Sequence, residues 1–297
     1  MIGFRPKSVW EFIKELFSEA TSDRIGLIAA GIAFYGLLSL FPGIAAMMAL
    51  GGLMTEPGIL VDQVRQIQSV LPPDASKIII DQAIQIAGSQ AGGLGLAAVV
   101  GILLSIYSAS KAVGSLVMGL HVAAGEADGR GFVAGTMFTL MMTVVTIGLA
   151  LVAIFSTVVV PGVLAVLNVE GTVAWVLGLV RWPIIGVITA LGLGLFYRLS
   201  IPQRSPLSHW ITPGALLGAT LWLAGSVTFS LYVQNFANYN KTFGTLGGVV
   251  SLLMWLWLSA YIVLLGEEVN SLLAFRRKAK AEHQSSGAAF GSEAGSV

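Results

Sequence analysis

The chain has 297 residues, of which 56% are hydrophobic and 10% are charged, and its formal net charge is +1. Ordinary soluble domains carry about 25% charged residues, so this composition excludes a soluble globular protein and indicates a membrane protein. Cysteine is absent, which excludes disulfide bonds, thiolate metal sites and cysteine nucleophiles.

The first 24 residues combine charged side chains with a short amphipathic pattern. They contain neither a long apolar run nor a small-residue cleavage site, so we expect no removable signal peptide. Ser8 and Glu11 have the spacing of a capping box, and the apolar residues that follow recur on one helical face. Residues 1–24 therefore predict an interfacial helix that precedes the first membrane span.

Six long apolar segments follow in residues 25–273. Alternation of the kind found in membrane β-barrels does not occur, and the segments are rich in leucine and glycine. We therefore predict an all-α, polytopic membrane bundle of six transmembrane helices, with amphipathic interfacial helices beside it. The segments are 25–53, 94–120, 132–160, 173–197, 210–233 and 246–265.

The first span carries a proline. No charge occurs between Arg24 and Glu56, a stretch that reaches roughly 45 Å as a helix and exceeds an apolar bilayer core of about 30 Å. Pro42 lacks an amide donor and crowds the carbonyl of Leu38, so we expect the span to be kinked or split near Ser39.

Two regions flank the spans. Residues 57–90 show helical spacing of apolar side chains around an LPPDAS break, which predicts an amphipathic hairpin on the outer side. Residues 274–297 are basic first and lack periodicity from Ala281 onward, so we expect a disordered tail there.

The distribution of lysine and arginine predicts the orientation of the spans. With the N-terminus inside, eleven of these residues fall in cytoplasmic segments and three in outside segments. This asymmetry and the even number of spans favour a multi-pass membrane protein with both termini in the cytoplasm.

No catalytic or metal-binding constellation is visible in the sequence. The three histidines are scattered, and neither paired-ligand spacing nor a GxSxG or Walker motif occurs. We expect no metal, no cofactor, no nucleic-acid partner and no enzymatic activity. Small residues four apart, as in Gly214 and Gly218, indicate helix packing and allow a homo-oligomer.

Charged residues within or beside the spans are the candidates for function. We place Lys111 near the inner interface, together with Glu267 and Glu268. Lysine can form a direct pair with one glutamate there, or each group can be solvated independently. Arg181 falls near the outer interface, where it either anchors its helix or binds an anionic headgroup.

Several motifs in order resemble the YihY/BrkB family of bacterial inner-membrane proteins. They are AAGIAFYGLLSLFPGI, SASKAV, RWP, PGALLGATLW, GTLGGVV and LLGEEVN, and the resemblance covers residues 25–273. It implies a six-span helical protein of the cytoplasmic membrane, in a family with links to virulence, serum resistance and lipid export. An older name, ribonuclease BN, implies a nuclease, although no metal-ligand set is present to activate water.

The resemblance also implies which positions matter. Where the family has a small residue before the acid of the sixth span, this chain has Glu267, so either glutamate is a candidate for the functional acid. The candidate residues for a substrate path or gate are Tyr35, Ser39, Pro42, Ser110, Lys111, Arg181, Glu267, Glu268 and Asn270.

Two functions follow as hypotheses. In the first, the protein transports or flips an amphiphilic anionic lipid or metabolite, with membrane lipids, anionic phospholipid or a lipid-linked cargo as partners. In the second, it is a structural membrane protein that organises envelope machinery without transporting anything. A membrane ribonuclease is a third hypothesis, which depends on the older family name alone.

Overall fold

The computed structural model describes residues 9–52, 76–77, 79–82, 84, 94–166, 172–201, 212–235 and 245–294. This part of the chain consists of helices and short turns and contains no strand. The helices are α1 Val9–Ser22, α2 Ile25–Gly52, α3 Leu94–Ala124, α4 Phe132–Val166, α5 Thr172–Ser200, α6 Pro213–Asn235 and α7 Thr245–Ala294.

The described helices confirm the predicted polytopic helical membrane bundle. Five of them contain stretches long and apolar enough to cross a membrane. The predicted fourth span lies in α5, where the described apolar stretch is Ile185–Ser200. The five stretches are Ile25–Ile44, Val99–Ala124, Phe132–Leu149, Pro213–Val233 and Gly247–Ala279.

Neighbouring helices run in opposite directions along the bundle. A Cβ added at Gly119 of α3 would lie 2.8 Å from both Ile28 of α2 and Leu264 of α7. At the other end of α2, Gly43 lies against Ser105 of α3, so α2 and α3 are antiparallel. These contacts define which residues lie at the same level of the bundle.

Helix α2 continues through Pro42 without a break, so the predicted split of the first span is wrong. Lipid cannot hydrogen-bond to backbone groups freed by an opened helix, and α3 packs along the length of α2. Ser39 Oγ donates to the carbonyl of Gly36 at 2.8 Å, one turn before the proline. These contacts keep the segment helical.

The C-terminal flanking region differs from the prediction, and the predicted outer hairpin is described only in part. Helix α7 continues to Ala294, where the sequence predicts disorder from Ala281 onward. The segment continues a helix already nucleated in the span, so each added residue avoids the cost of starting a new helix. Of the predicted hairpin at 57–90, the structure describes only 76–77, 79–82 and 84, which are helical.

Among the described side chains, the hydrophobic core is concentrated at the end of the bundle where α1 packs against α7, called here the α1 end. The described side chains of α3 begin at Val99, and the first buried one is Val113, whereas Val99 and Leu103 are exposed. The core at the α1 end comprises Leu16, Ala20, Ile25, Ala29, Val113, Val117, Leu120, Ala124, Phe196, Tyr197, Ile201, Ala215, Leu264, Leu265, Val269 and Leu272.

Helices α6 and α7 form a close antiparallel pair. Trp222 Nε1 donates to Ser259 Oγ at 3.0 Å, and Trp255 Nε1 donates to Ser226 Oγ at 3.3 Å. At the α1 end the backbones approach so closely that a Cβ on Gly214 would lie 1.9 Å from the carbonyl oxygen of Gly266. Only glycine allows this approach.

Replacing Gly214 with alanine should therefore destabilise the protein. The added methyl group meets backbone rather than a movable side chain, and overpacking of this kind costs about 1–3 kcal/mol. We expect a lower midpoint of thermal unfolding in detergent, by roughly 2–4 °C for each kcal/mol.

Gly31→Ala is the matched control for this variant. Gly31 lies within α2, and a Cβ there would meet nothing within 4 Å. Alanine is the better helix former, so the control should unfold at the same or a higher temperature. Equal midpoints for Gly214→Ala and the wild type would contradict the close helix contact.

Candidate functional site

The sequence-predicted residues fall into two groups at different levels of the bundle. Tyr35, Ser39, Ser110 and Lys111 lie near the middle of the spans and are called here the mid-span group. Gly36, near the middle of the apolar stretch Ile25–Ile44 of α2, lies against Leu256, which is nine residues into the apolar stretch Gly247–Ala279 of α7. Glu267, Glu268 and Asn270 lie at the α1 end.

Lys111 lies midway along the apolar stretch Val99–Ala124. At about 1.5 Å per residue it is about 18–20 Å from either end of that stretch. Helix α3 continues to Ala124, beyond the predicted end of the span, and the predicted position of Lys111 near the inner interface stays a prediction. A lysine side chain spans only a fraction of that distance.

The Lys111 side chain is exposed and surrounded by polar and aromatic groups. Its Nζ lies 5.4 Å from the ring centroid of Tyr107, whose side chain is 61% exposed. The neighbouring Ser110 Oγ is 3.4 Å from Thr143 Oγ of α4, and Thr143 also donates to the carbonyl of Thr139 at 2.7 Å. A cation and several hydroxyl groups thus share one level.

The structure does not bring Lys111 to either glutamate. Ser271 of α7 lies at the level of Ala124, with Oγ 3.4 Å from the Ala124 carbonyl oxygen, so Glu268 lies near the same end of α3. Helix geometry then separates Lys111 from Glu268 by roughly 15–18 Å along the bundle, which exceeds the combined reach of the two side chains. The proposed direct pair is not formed.

Pro42 and Arg181 are the two remaining predicted residues. Pro42 is half-buried within α2, close to the contact of Gly43 with Ser105. Arg181 lies in α5, but its side chain falls outside the described part of the structure, so its predicted role as an anchor or anion ligand stays a prediction.

At the α1 end, a chain of hydrogen bonds joins α6 and α7. Glu267 is only 2% exposed, and its Oε2 accepts a hydrogen bond from Asn270 Nδ2 at 3.0 Å. Asn270 Oδ1 accepts from the backbone N–H of Gly214 at 2.9 Å, in the first turn of α6. Such N–H groups have no partner within their own helix, so Asn270 satisfies a donor that the fold leaves open.

Tyr197 adds α5 to this arrangement. Its hydroxyl donates to the carbonyl of Val263 in α7 at 2.7 Å, and the ring is buried beside Gly218 and Gly266. Helices α5, α6 and α7 are thereby connected through buried polar contacts.

Four acidic side chains lie at the α1 end, and they are called here the carboxyl cluster: Glu19, Asp23, Glu267 and Glu268. Glu267 and Glu268 are each only 2% exposed. Glu268 Oε1 is buried with no hydrogen-bond partner among the described residues.

The turn between α1 and α2 positions Asp23. Its N–H donates to the carbonyl of Glu19 at 2.8 Å, and the following residue, Arg24, has a φ of 51°. That left-handed conformation costs a non-glycine residue on the order of 1–2 kcal/mol. The turn therefore has a conformation that the surrounding packing must maintain.

A second polar contact closes the α3–α4 turn onto α5. Arg130 donates to the carbonyls of Ser200 at 3.2 Å and Leu199 at 3.5 Å, so its charge lies at the C-terminus of α5 where it is stabilising. The same guanidinium pairs with Asp128 at 3.2 Å and lies over the Phe138 ring. This contact is structural in character.

Sequence reasoning missed Asp23, Glu19, Tyr197 and the bridging role of Gly214. Asp23 carried a usable signal, because an acid directly before a membrane span opposes the preference for basic residues there. Tyr197 carried no such signal, since a tyrosine at a span end is also typical of an aromatic belt. Among the described residues, no group of three His, Asp or Glu side chains has the arrangement to hold a metal ion.

Arg276 connects α1 to α7, and replacing it tests whether this contact holds α1 in place. It forms an ion pair with Glu15 and lies 4.8 Å over the Phe12 ring. We expect Arg276→Gln to loosen α1, seen as faster proteolysis within residues 9–22 and reduced cross-linking between cysteines introduced in α1 and α7.

The neighbouring variant Arg277→Gln removes the same charge from an exposed position and should leave both readouts at wild-type level. Equal protection of α1 in the two variants would show that the Arg276 contact does not hold the helix.

Comparison with known proteins agrees with this architecture. The chain is 29% identical over 271 residues to a putative ribonuclease-like protein, YfkH, of Bacillus subtilis, covering 90% of this chain and 96% of that protein. It is 36% identical over 88 residues to a UPF0761 membrane protein of Xanthomonas campestris, covering 29% of this chain and 20% of that protein. No solved structure matches it significantly.

The family profile described as "Virulence factor BrkB" matches residues 16–289, which include every described helix from α2 to α6, half of α1 and most of α7. The match confirms the resemblance that the sequence motifs indicate. This multi-pass membrane protein belongs to the BrkB family.

Proposed function

We propose that this protein transports an amphiphile with an anionic headgroup, a lipid or a lipid-like metabolite, across the membrane. The observation that carries the proposal is the exposed Lys111 side chain, midway along an apolar span. Charged residues within membrane spans are rare and are found mainly on substrate or ion paths.

Energetics favour an anionic partner for Lys111. A lysine at the centre of a spanning helix costs about 2.5–3.5 kcal/mol on insertion scales, and its stem is too short to reach an interface from this level. An anionic headgroup that crosses the bilayer also costs free energy when it enters the hydrocarbon. A contact between the headgroup and Lys111 at mid-span offsets both of these costs. Ser110, Thr143 and Ser39 supply hydroxyl groups at or near that level.

The carboxyl cluster makes a different contribution. Four acidic groups at the α1 end repel an anion, so the headgroup would not bind there. What supports a transporter over a static bundle is the combination of a cation at mid-span with buried ionisable groups at one end. We further propose that the α1 end faces the cytoplasm of a bacterial cell, since lysine and arginine are concentrated in the corresponding segments.

The alternative is a structural membrane protein without transport activity. Gly31 and Gly148 favour it to some degree, since a Cβ at either position would meet nothing within 4 Å, and such small-residue surfaces dock other helices. In that case a partner helix would cover Lys111. The name of the Bacillus subtilis relative describes that protein, and we do not extend ribonuclease activity to this chain.

The proposal predicts protein-dependent lipid movement that needs Lys111. Purified protein would be reconstituted into vesicles containing fluorescent phosphatidylglycerol, and movement between leaflets followed by quenching with a membrane-impermeant reagent. Loss of a charge-assisted contact of about 1.5–3 kcal/mol corresponds to a decrease of about 10- to 100-fold for Lys111→Gln. Lys111→Arg keeps the charge and should retain more of the rate.

Arg277→Gln serves as the control, because it removes one positive charge from an exposed position outside both groups of residues. No acceleration over empty vesicles for phosphatidylglycerol, phosphatidylserine or cardiolipin would overturn the proposal and favour the structural alternative. Undiminished transport by Lys111→Gln would refute the role of that side chain.

A further inference from the structure

Helix α1 buries only one side against the bundle. Leu16 and Ala20 belong to the hydrophobic core, and Phe12 packs against it. The sequence predicts a single apolar face for this helix, but Trp10 and Phe17 are 63% and 53% exposed. Two large aromatic side chains are thus left outside the bundle.

The two exposed aromatic residues share one flank of α1 with a lysine. Trp10, Lys14 and Phe17 follow one another at spacings of four and three residues, so they form a row along the helix. Lys14 Nζ lies 5.4 Å from the centroid of the Trp10 ring, and its side chain is exposed. These three residues are called here the aromatic flank.

The other exposed flank of α1 is acidic. Glu11, Ser18 and Glu19 are exposed there. Glu19, a member of the carboxyl cluster, follows Trp10 by nine residues and therefore lies about 180° around the helix from it. A helix with aromatic residues on one flank and acidic residues on the other fits a boundary between lipid and water.

The connection to α2 places α1 at one surface of the bilayer. The turn at Asp23 and Arg24 joins α1 directly to the apolar stretch Ile25–Ile44, which is long enough to cross the membrane. Exposed apolar side chains resume on that stretch at Leu27 and Phe34, which are 71% and 54% exposed. The aromatic flank is therefore followed along the chain by side chains that face lipid.

We propose that the aromatic flank binds the surface of the leaflet at the α1 end, with Trp10 and Phe17 at the boundary between headgroups and acyl chains and Lys14 on an anionic lipid headgroup. Tryptophan is enriched at this depth of a membrane, and lysine is attracted to the negative potential of anionic lipid. The inference concerns α1 alone and does not depend on the proposed transport.

A lipid surface fits the aromatic flank better than a second protein does. Lysine is depleted at the centre of protein interfaces, and Lys14 lies between the two aromatic residues of the row. At a bilayer surface its stem can lie along apolar groups while the ammonium group stays among headgroups and water. All three members of the flank are then accommodated at once.

Two matched pairs of labelled variants test the location of the flank. The chain has no cysteine, so one introduced cysteine can carry a fluorescent label on the full-length protein in vesicles of phosphatidylglycerol and phosphatidylcholine. A quencher attached to the lipid close to the headgroup should remove most of the fluorescence from Trp10→Cys and Phe17→Cys. The sequence neighbours Glu11→Cys and Ser18→Cys lie on the acidic flank and should keep nearly all of theirs.

Equal quenching within both pairs would overturn the proposal. Labels on the aromatic flank that are shielded from water but not quenched by lipid would also overturn it, and would assign the flank to a second copy of the chain or to another protein.

Lipid composition tests the role of Lys14. One positive charge near an anionic surface favours the bound state about fivefold, so Lys14→Gln should lower the ratio of bound to free α1 by about that factor in phosphatidylglycerol. The ratio is read from the label of Phe17→Cys, and it should not change in phosphatidylcholine. Arg277→Gln removes a positive charge from α7 and should keep the wild-type ratio in both lipids. Equal ratios for Lys14→Gln and the wild type in phosphatidylglycerol would overturn the headgroup contact.

Discussion

The close contact between Gly214 and Gly266 is the constraint on which the α1 end depends. Because neither residue has a side chain, α6 comes near enough for Asn270 to accept a hydrogen bond from the backbone of Gly214 and to donate one to Glu267. Gly266 and Gly218 also leave room for the hydroxyl of Tyr197, which donates to the carbonyl of Val263. A larger residue at either glycine would separate these partners and leave buried polar groups unsatisfied.

Lys111 and the two glutamates of α7 lie at different levels of the bundle. Lys111 lies at mid-span and is exposed, whereas Glu267 and Glu268 lie at the α1 end and are buried. This separation avoids direct neutralisation of lysine by glutamate. A direct pair would instead have formed a closed, static contact, and it would have left neither group available to a cargo.

Hydropathy alone predicts most of the fold, because lipid forces every crossing segment into a long apolar helix. Hydropathy cannot predict the level at which each polar side chain lies along the bundle. The sequence predicts a kink or a split near Pro42, whereas packing against α3 keeps α2 helical through it. The sequence also ends the second span at residue 120, whereas α3 continues to Ala124. The pairing of Arg276 with Glu15 depends on the packing of α1 against a helix distant in sequence, which no local pattern encodes.

The central claim is that Lys111 meets an anionic headgroup within the membrane. Electron cryomicroscopy of the protein in nanodiscs containing phosphatidylglycerol tests this most directly, since it shows both the bilayer boundaries and ordered lipid. The account predicts a lipid phosphate or an open hydrated groove at Lys111, well inside those boundaries. A Lys111 side chain enclosed by protein, paired with an acidic residue, or level with the headgroups of either leaflet would contradict it.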